Sequence, residues 1–214
     1  MKIFLLCLLA ATSLTANASD IGNTLPPTFS PTPQEGKIAR VTSDILARYE
    51  YNKIPLDQKF SARVFDRYLK ILDPDRLYFL QSDVTSFSKN RDILVDEIQN
   101  GELHIPFDIF EVYIKRVVDR MNLANQLLQQ PFDFDQKESF QLKRDTQPWE
   151  ASEEALRDSW RKRVKNDWLR LKLAGETDGA IRQTLSKRYR SNLARIAESK
   201  SEDVFQLFMD AYAT

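Results

Sequence analysis

Few side chains in this sequence are suited to covalent catalysis. The chain contains one histidine, His104, and one cysteine, Cys7, so a Ser-His-Asp or Cys-His site would depend on these two residues. His104 stands close to Gly101 at the junction of two predicted helices, without the partners that such catalysis needs. Cys7 lies in a short apolar run near the N-terminus. We therefore predict that neither residue belongs to a nucleophilic site.

A serine activated by a lysine of lowered pKa is possible in principle, because the chain contains several residues of both types. All of them occupy polar positions of predicted helices, and none lies in a Gly- or Ala-rich turn that would expose a nucleophile. The HExxH, CxxC, GxGxxG and Walker patterns do not occur in the sequence. We predict no catalytic, cofactor-binding or metal-binding residue, and hence no cofactor.

Two groups of acidic residues also suggest chemistry at first sight. Asp133, Asp135 and Glu138 resemble the start of a calcium-binding loop, but Lys137 and Glu138 occupy the positions of the third ligand and of the glycine. We predict a solvated turn there. The second group has arginines nearby in the chain, which favours surface ion pairs on helices over paired catalytic carboxylates. Its members are Asp57, Asp66, Asp73 and Asp75, with Arg63, Arg67 and Arg76.

A basic stretch, RDSWRKRVKNDWLRLK at residues 157–172, combines cations with two tryptophans. A reader of single-stranded nucleic acid could use such a mixture, but Trp160 and Trp168 fall on the apolar stripe of the predicted helix. The chain also has a formal net charge of 0 at pH 7, which disfavours a nucleic-acid partner. We predict a protein-docking face, made of Arg157, Arg161, Lys162, Arg163, Lys165, Arg170 and Lys172.

Helical periodicity organises most of the chain. Apolar residues recur three or four positions apart in about seven segments: residues 35–54, 57–72, 82–100, 106–130, 152–174, 177–196 and 201–214. Ser152 and Thr177 suit helix N-caps, and Gly101 suits a C-cap. Between residues 132 and 148 apolar and polar residues alternate, which is typical of a small β-hairpin or an extended arm. We predict an irregular all-α domain with at most this one hairpin.

The N-terminus has the features of an export signal. Lys2 precedes an apolar run, and Ala16-Asn17-Ala18 has the small-x-small pattern of a cleavage site. We predict a signal peptide at residues 1–18, a Pro-rich flexible leader at 19–34 and a helical domain at 35–214. The apolar run is shorter than a membrane-spanning helix. We therefore expect a periplasmic protein without an integral membrane span after cleavage.

The last predicted helix, SEDVFQLFMDAYAT, has an aromatic face. Val204, Phe205, Phe208 and Tyr212 recur at helical spacing, and the sequence has no Gly, Pro or basic closing turn after them. Two outcomes are open. The face could pack on this domain, or it could be left as an exposed apolar patch that promotes self-association.

Three stretches resemble the tail-specific proteases, or carboxyl-terminal processing proteases, of Gram-negative bacteria. They are FSARVFDRYLKILDPDRLYFLQSDV from Phe60, QPWEASEEALRDSWRKRVKNDWLRLKLAGET from Gln147, and Arg188-Tyr189-Arg190 followed by SEDVFQLFMDAYA. The likeness is collinear from about Val41 to Ala213 and is confined to the N-terminal helical segment of that family. It implies periplasmic serine endopeptidases with a Ser-Lys dyad, a PDZ domain and a protease core, which cleave proteins from nonpolar C-termini.

The segments that would hold the PDZ domain and the dyad have no counterpart in this sequence, so the resemblance assigns no catalytic residue. We expect a non-catalytic scaffold or docking domain, truncated before the PDZ and protease domains. Its expected partners are those domains, in the same or a separate chain, and a lipoprotein adaptor or protein substrates. Two alternatives stay open: half of a split protease, and a stand-alone periplasmic protein-binding module.

Overall fold

The computed structural model describes residues 28–49 and 55–213. This part of the chain forms eight α-helices and no strand; Leu80 and Glu150 make an isolated parallel β-bridge. The all-α prediction is confirmed. The helices are α1 Pro33–Tyr49, α2 Gln58–Leu72, α3 Gln81–Phe87, α4 Leu94–Asn100, α5 His104–Leu127, α6 Glu153–Leu173, α7 Asp178–Ala197 and α8 Ser201–Ala213.

The predicted helix at residues 82–100 is two helices. Helix α3 ends at Phe87, a 3₁₀ turn covers Ser88–Asn90, and α4 begins at Leu94. The Ser88 hydroxyl donates a 2.8 Å hydrogen bond to the Val84 carbonyl. Ser, Asn and Asp side chains compete for backbone groups in this way and disfavour helix interiors. The predicted end of the segment is confirmed, because Gly101 caps α4 with φ 74°.

The segment at residues 132–148 lies between α5 and α6 and forms no hairpin. All of it is described, and it contains no strand residues. Phe132 and Phe140 are half-buried against the core, and the Phe132 ring lies 5.8 Å from that of Trp168. Two of the alternating apolar side chains therefore pack against the helices without a strand ladder, while Phe134 and Leu142 stay exposed. We call residues 132–148 the arm.

Two clusters of buried side chains make the core, and the long helix α5 contributes to both. The first cluster joins α1, α2, α4 and α8 to the start of α5. The second joins the end of α5 to α6 and α7. Trp160 and Trp168 are 1% and 5% exposed in the second cluster, so they are core residues, as their place on the apolar stripe predicts. Each buried apolar side chain of this size stabilises the fold by roughly 1.5–3 kcal/mol before entropy is subtracted.

The aromatic face of α8 packs on this domain. Val204, Phe208 and Tyr212 are at most 1% exposed, while Phe205 is half-buried. The Tyr212 hydroxyl and the Ser43 hydroxyl are 2.8 Å apart, and its ring meets that of Phe60 edge-on at 5.4 Å. The first of the two outcomes predicted for this helix is therefore the one observed.

The start of the domain differs from the predicted boundary. Helix α1 begins at Pro33, and Phe29 ahead of it is 5% exposed, with its ring edge-on to Phe110 at 5.1 Å. Residues 28–34 thus belong to the folded domain and not to a flexible leader. The predicted signal peptide at residues 1–18 lies outside the described residues.

Candidate functional site

The residues first considered for catalysis are not assembled into a site. His104 is the exposed first residue of α5. In the described part of the chain, no serine hydroxyl is hydrogen-bonded to a lysine amine, and no three His, Cys, Asp or Glu side chains could share a metal ion. What the described polar side chains do is join segments of the domain.

The acidic residues of the arm divide between two roles. Asp133 accepts a 2.9 Å hydrogen bond from the backbone N–H of Asp135, which is the solvated turn that we predicted. Glu138 is different, because its carboxylate binds Arg161 and Lys165 of α6. The hydrogen bonds from Arg161 and then Lys165 lower the pKa of Glu138 to about 2. Glu138 therefore ties the arm to α6 and is not part of a solvated turn.

Five of the seven predicted docking cations make ion pairs inside the domain. Arg161 and Lys165 bind Glu138, and Lys162 binds Asp158 at 2.8 Å. Lys165 is only 8% exposed. These pairs hold the arm on α6 and order the surface of that helix.

The other two of these five cations pair with acids outside α6. Arg163 lies 3.7 Å from Asp75, with its guanidinium 5.2 Å from the centre of the Trp160 ring, and Lys172 lies 3.2 Å from Asp178. Arg157 and Arg170 are exposed and make no ion pair with a described residue. The docking role of the face stays a prediction.

The aspartates between residues 57 and 75 do not form the predicted set of surface ion pairs. Asp57 caps α2, since its carboxylate accepts a 2.9 Å hydrogen bond from the backbone N–H of Phe60. Asp66 pairs with Arg91, 25 residues away, and not with an arginine of its own helix. Asp75 pairs with Arg163. Only the exposed Asp66 and Asp75 pairs are of the predicted kind, and neither uses the predicted arginine.

Asp73, which the sequence predicts to form a surface ion pair, is buried. It is 1% exposed, and its carboxylate accepts hydrogen bonds from the backbone N–H groups of Leu77, Tyr78 and Phe79 at 2.8, 3.1 and 3.1 Å. The indole N–H of Trp149 adds a fourth bond at 3.1 Å. Burial raises the pKa of Asp73 above its ordinary value, and the four hydrogen bonds oppose that shift. This carboxylate holds together residues that are 76 positions apart.

Further contacts complete this junction. The Arg76 guanidinium lies 4.3 Å from the centre of the Trp149 ring and donates to the Gln147 carbonyl. The backbone N–H of Gln81 donates to the Glu150 carbonyl at 2.9 Å. The Trp160 indole N–H donates to the Leu77 carbonyl at 2.6 Å. Residues 73–81 are thus fixed to residues 147–150 and to α6, and the Asp-Pro and Pro-Trp pairs of the resemblance mark both sides of the contact.

A second polar network joins α3, α5 and α6. Arg116 of α5 makes two 2.9 Å bonds to Asp83 and one of 2.6 Å to Glu153. Arg120, one turn later, binds the other oxygen of Glu153 at 2.7 Å and is 4% exposed. Both acids lie in the first turn of their helices, where a negative charge is favoured by the helix macrodipole. The network fixes the start of α6 against α5.

A cavity of about 660 Å³ opens beside the Asp73 junction. It lies between α2, α3 and Trp149. Its lining combines apolar and charged side chains: Phe65, Asp66, Leu69, Lys70, Asp73, Pro74, Arg76, Val84, Ser88, Arg91, Asp145 and Trp149. We call it the α2–α3 cavity.

Taken together, these features define a helical domain in which the polar side chains serve mainly to connect segments. Comparison with known proteins identifies relatives of this domain. The family model described as "Tail specific protease N-terminal domain" matches residues 41–214. A tail-specific protease of Haemophilus influenzae (strain ATCC 51907 / DSM 11121 / KW20 / Rd) is 34% identical over 169 residues.

The chain therefore belongs to the tail-specific protease family, as the resemblance indicates. The match covers 78% of this chain but only 24% of the Haemophilus influenzae relative, so the chain spans about a quarter of that protein's length. Every helix of the described residues is too short or too polar to cross a bilayer.

Proposed function

We propose that this chain is a non-catalytic scaffold and docking domain of a periplasmic tail-specific serine endopeptidase. In this proposal the domain packs against PDZ and protease domains and helps to position an adaptor or a protein substrate. The family match supports the class of protein, and the sequence pattern of residues 1–18 supports export. The relative's greater length supports further domains as the natural partner.

The observation that carries the docking role is an exposed apolar stripe on α1. Ile38, Val41 and Ile45 follow each other at helical spacing and are 44%, 46% and 52% exposed. The opposite face of α1 is buried, since Ala39 and Ser43 are at most 1% exposed. An amphipathic helix normally buries its large apolar side chains. In α1 these three side chains face outward, which favours another protein surface packing against them.

Electrostatics add a second contact area on α6. Arg157 and Arg170 make no close ion pair with a described residue, unlike the other five cations of the predicted docking face, although the pKa of Glu154 is lowered by hydrogen bonds first and by Arg157 to a smaller extent. Surface cations outside close ion pairs favour encounter with an acidic partner and contribute more to association rate than to affinity. We therefore assign the apolar contact to α1 and a steering role to these two arginines.

Binding to the rest of the protease tests the docking role. The Haemophilus influenzae relative would be prepared without its matched 169-residue segment and immobilised, and binding of this chain would be measured by interferometry. Ile45→Asp should weaken binding about tenfold or more, because it buries an unpaired charge. Leu142→Asp is the matched control, since Leu142 is 63% exposed in the arm, outside α1 and α6. Absence of binding, or equal effects of the two changes, would contradict the proposal.

Peptidase assays test the non-catalytic role separately. The purified chain should not cleave a protein with an apolar C-terminal tail. Cleavage that a single Ser→Ala change in this chain abolishes would refute the role. Restored activity after mixing with the catalytic part of the relative would indicate that the domain completes the enzyme by docking.

Export is tested by the N-terminus of the mature protein. Recovery from periplasmic extracts of a chain that begins at Ser19 would support export and cleavage.

A further inference from the structure

The α2–α3 cavity has the dimensions of a binding site for a small ligand. Its volume of about 660 Å³ falls within the range of roughly 300–1,000 Å³ that is usual for ligand pockets. Its apolar wall is formed by Phe65, Leu69 and Val84, which are at most 7% exposed, and by the half-buried Trp149. Such a wall suits one or two apolar side chains or a short stretch of peptide.

Some charged residues of the cavity have ionic or hydrogen-bond partners, and others do not. Asp73 is saturated by its four donors, and Asp66 and Arg91 neutralise each other through a 2.6 Å ion pair. Asp145 has Lys143 at 3.9 Å. Lys70 is exposed and makes no ion pair with any described residue.

Arg76 is the second cation with spare donors. Its Nη1 donates to the Gln147 carbonyl, and its other two guanidinium nitrogens make no hydrogen bond to a described residue. The cavity therefore offers Lys70 and Arg76 to a negatively charged group.

The backbone of Arg76 gives independent support. Its φ is 52°, the one positive φ of a non-glycine residue among those described. Residues other than glycine rarely adopt this conformation, and where it occurs it often marks a functional site. Here it accompanies a guanidinium held at 4.3 Å from the centre of the Trp149 ring. The strained residue and the aromatic ring that it covers both line the same cavity.

We propose that the α2–α3 cavity binds a short peptide segment in which an acidic residue adjoins a large apolar residue. The carboxylate would accept hydrogen bonds from Arg76 and Lys70, and the apolar side chain would pack on Leu69, Val84 and Trp149. The cavity includes no residue of α1 or α6. This inference can therefore fail or hold independently of the docking surfaces proposed above.

Chemical-shift titration of the ¹⁵N-labelled chain tests the inference. The probe is N-acetyl-Phe-Asp-amide, compared with N-acetyl-Phe-Asn-amide, which keeps the shape but lacks the charge. We expect shifts that centre on the Trp149 indole N–H, which is one of three indole signals because the chain has three tryptophans. The Asn probe should bind at least about fivefold more weakly, because a charged hydrogen bond is stronger than a neutral one.

Lys70→Gln should weaken binding of the Asp probe about threefold or more while the melting temperature stays unchanged, because Lys70 is exposed. Lys187→Gln, an exposed lysine of α7 outside the cavity, is the matched control and should bind as the unaltered chain does. The inference is overturned by shifts scattered away from the cavity, by equal binding of the two probes, or by no effect of Lys70→Gln. The absence of any shift at the highest soluble probe concentration overturns it as well.

Discussion

The Asp73→Asn substitution should destabilise the domain strongly, although the two side chains are almost equal in size and shape. The Asp73 carboxylate accepts four hydrogen bonds, three from the backbone N–H groups of residues 77–79 and one from the Trp149 indole. An amide has a single acceptor oxygen, and its NH₂ group would face the donors that the second carboxylate oxygen now serves. Even with the amide oxygen at the Oδ2 position, the backbone N–H of Leu77 would lose its acceptor, and the new NH₂ group would itself be a donor without a partner in a site with almost no access to water.

The size of the effect follows from this count. A buried donor without a partner costs roughly 1–3 kcal/mol, so two of them give a loss of about 2–6 kcal/mol. Trp149→Phe removes a donor and leaves the carboxylate with three bonds, so its loss should be nearer 1 kcal/mol. Asp75→Asn is the matched control two residues away. Asp75 is 44% exposed and lies 3.7 Å from Arg163, so its change should cost less than about 1 kcal/mol.

Urea titration at pH 7, followed by circular dichroism at 222 nm, measures the three losses. The slope of the free energy against urea should stay constant, so that the midpoints report stability alone. If Asp73→Asn costs no more than Asp75→Asn, the carboxylate does not hold the junction. If Trp149→Phe costs as much as Asp73→Asn, the indole bond and not the backbone bonds carries the effect, and the reasoning from donor count is wrong.

Two other changes test close packing and charge. Gly36→Ala should lower the free energy of unfolding by about 1–3 kcal/mol or more, because a Cβ there would lie 2.1 Å from the Gly101 carbonyl oxygen. Gly179→Ala in α7 is the control. A Cβ there would have no atom within 4 Å, so this change should be neutral or slightly stabilising in the same titration. Hydrogen bonds from Arg161 and Lys165 lower the pKa of Glu138 to about 2. The stability that this carboxylate adds is therefore complete above its ordinary pKa and is lost as the pH falls through 2. Glu138→Gln should therefore be less stable than the parent chain at pH 6 and nearly equal to it at pH 2; a difference that does not change with pH would contradict this assignment.

The parts of the fold that could be predicted are those whose signals are local. Ser152 and Thr177 accept hydrogen bonds from the backbone N–H groups three residues later, at 3.2 and 3.4 Å, as N-caps do. The stripe that includes Trp160 and Trp168 is buried. Caps and periodicity are short-range properties of the chain, so the sequence alone predicts that α6 and α7 are helices.

The ion pairs that join different segments could not be predicted, because their residues are far apart in the chain. Arg91 is 25 residues from Asp66 in the chain, yet Asp66 pairs with it and not with an arginine of α2, because α4, which begins three residues after Arg91, packs on α2. Glu138 likewise finds Arg161 and Lys165 only once the arm lies on α6. A cluster of seven cations therefore looks like a free surface in the sequence, although five of them are paired in the structure.

The buried carboxylate follows from the path of residues 77–80 between the two core clusters. Leu77 and Leu80 pack into the second cluster, while Phe79 between them packs into the first. The successive N–H groups of residues 77–79 all point at one carboxylate, so the backbone turns here and does not form a strand. Buried N–H groups still need hydrogen-bond partners. No neighbouring strand supplies them among the described residues, where Leu80 and Glu150 form the isolated bridge. Asp73, held at the end of α2 by Pro74, supplies them instead, which is why an acid that looks solvated in the sequence is buried where the two halves of the core meet.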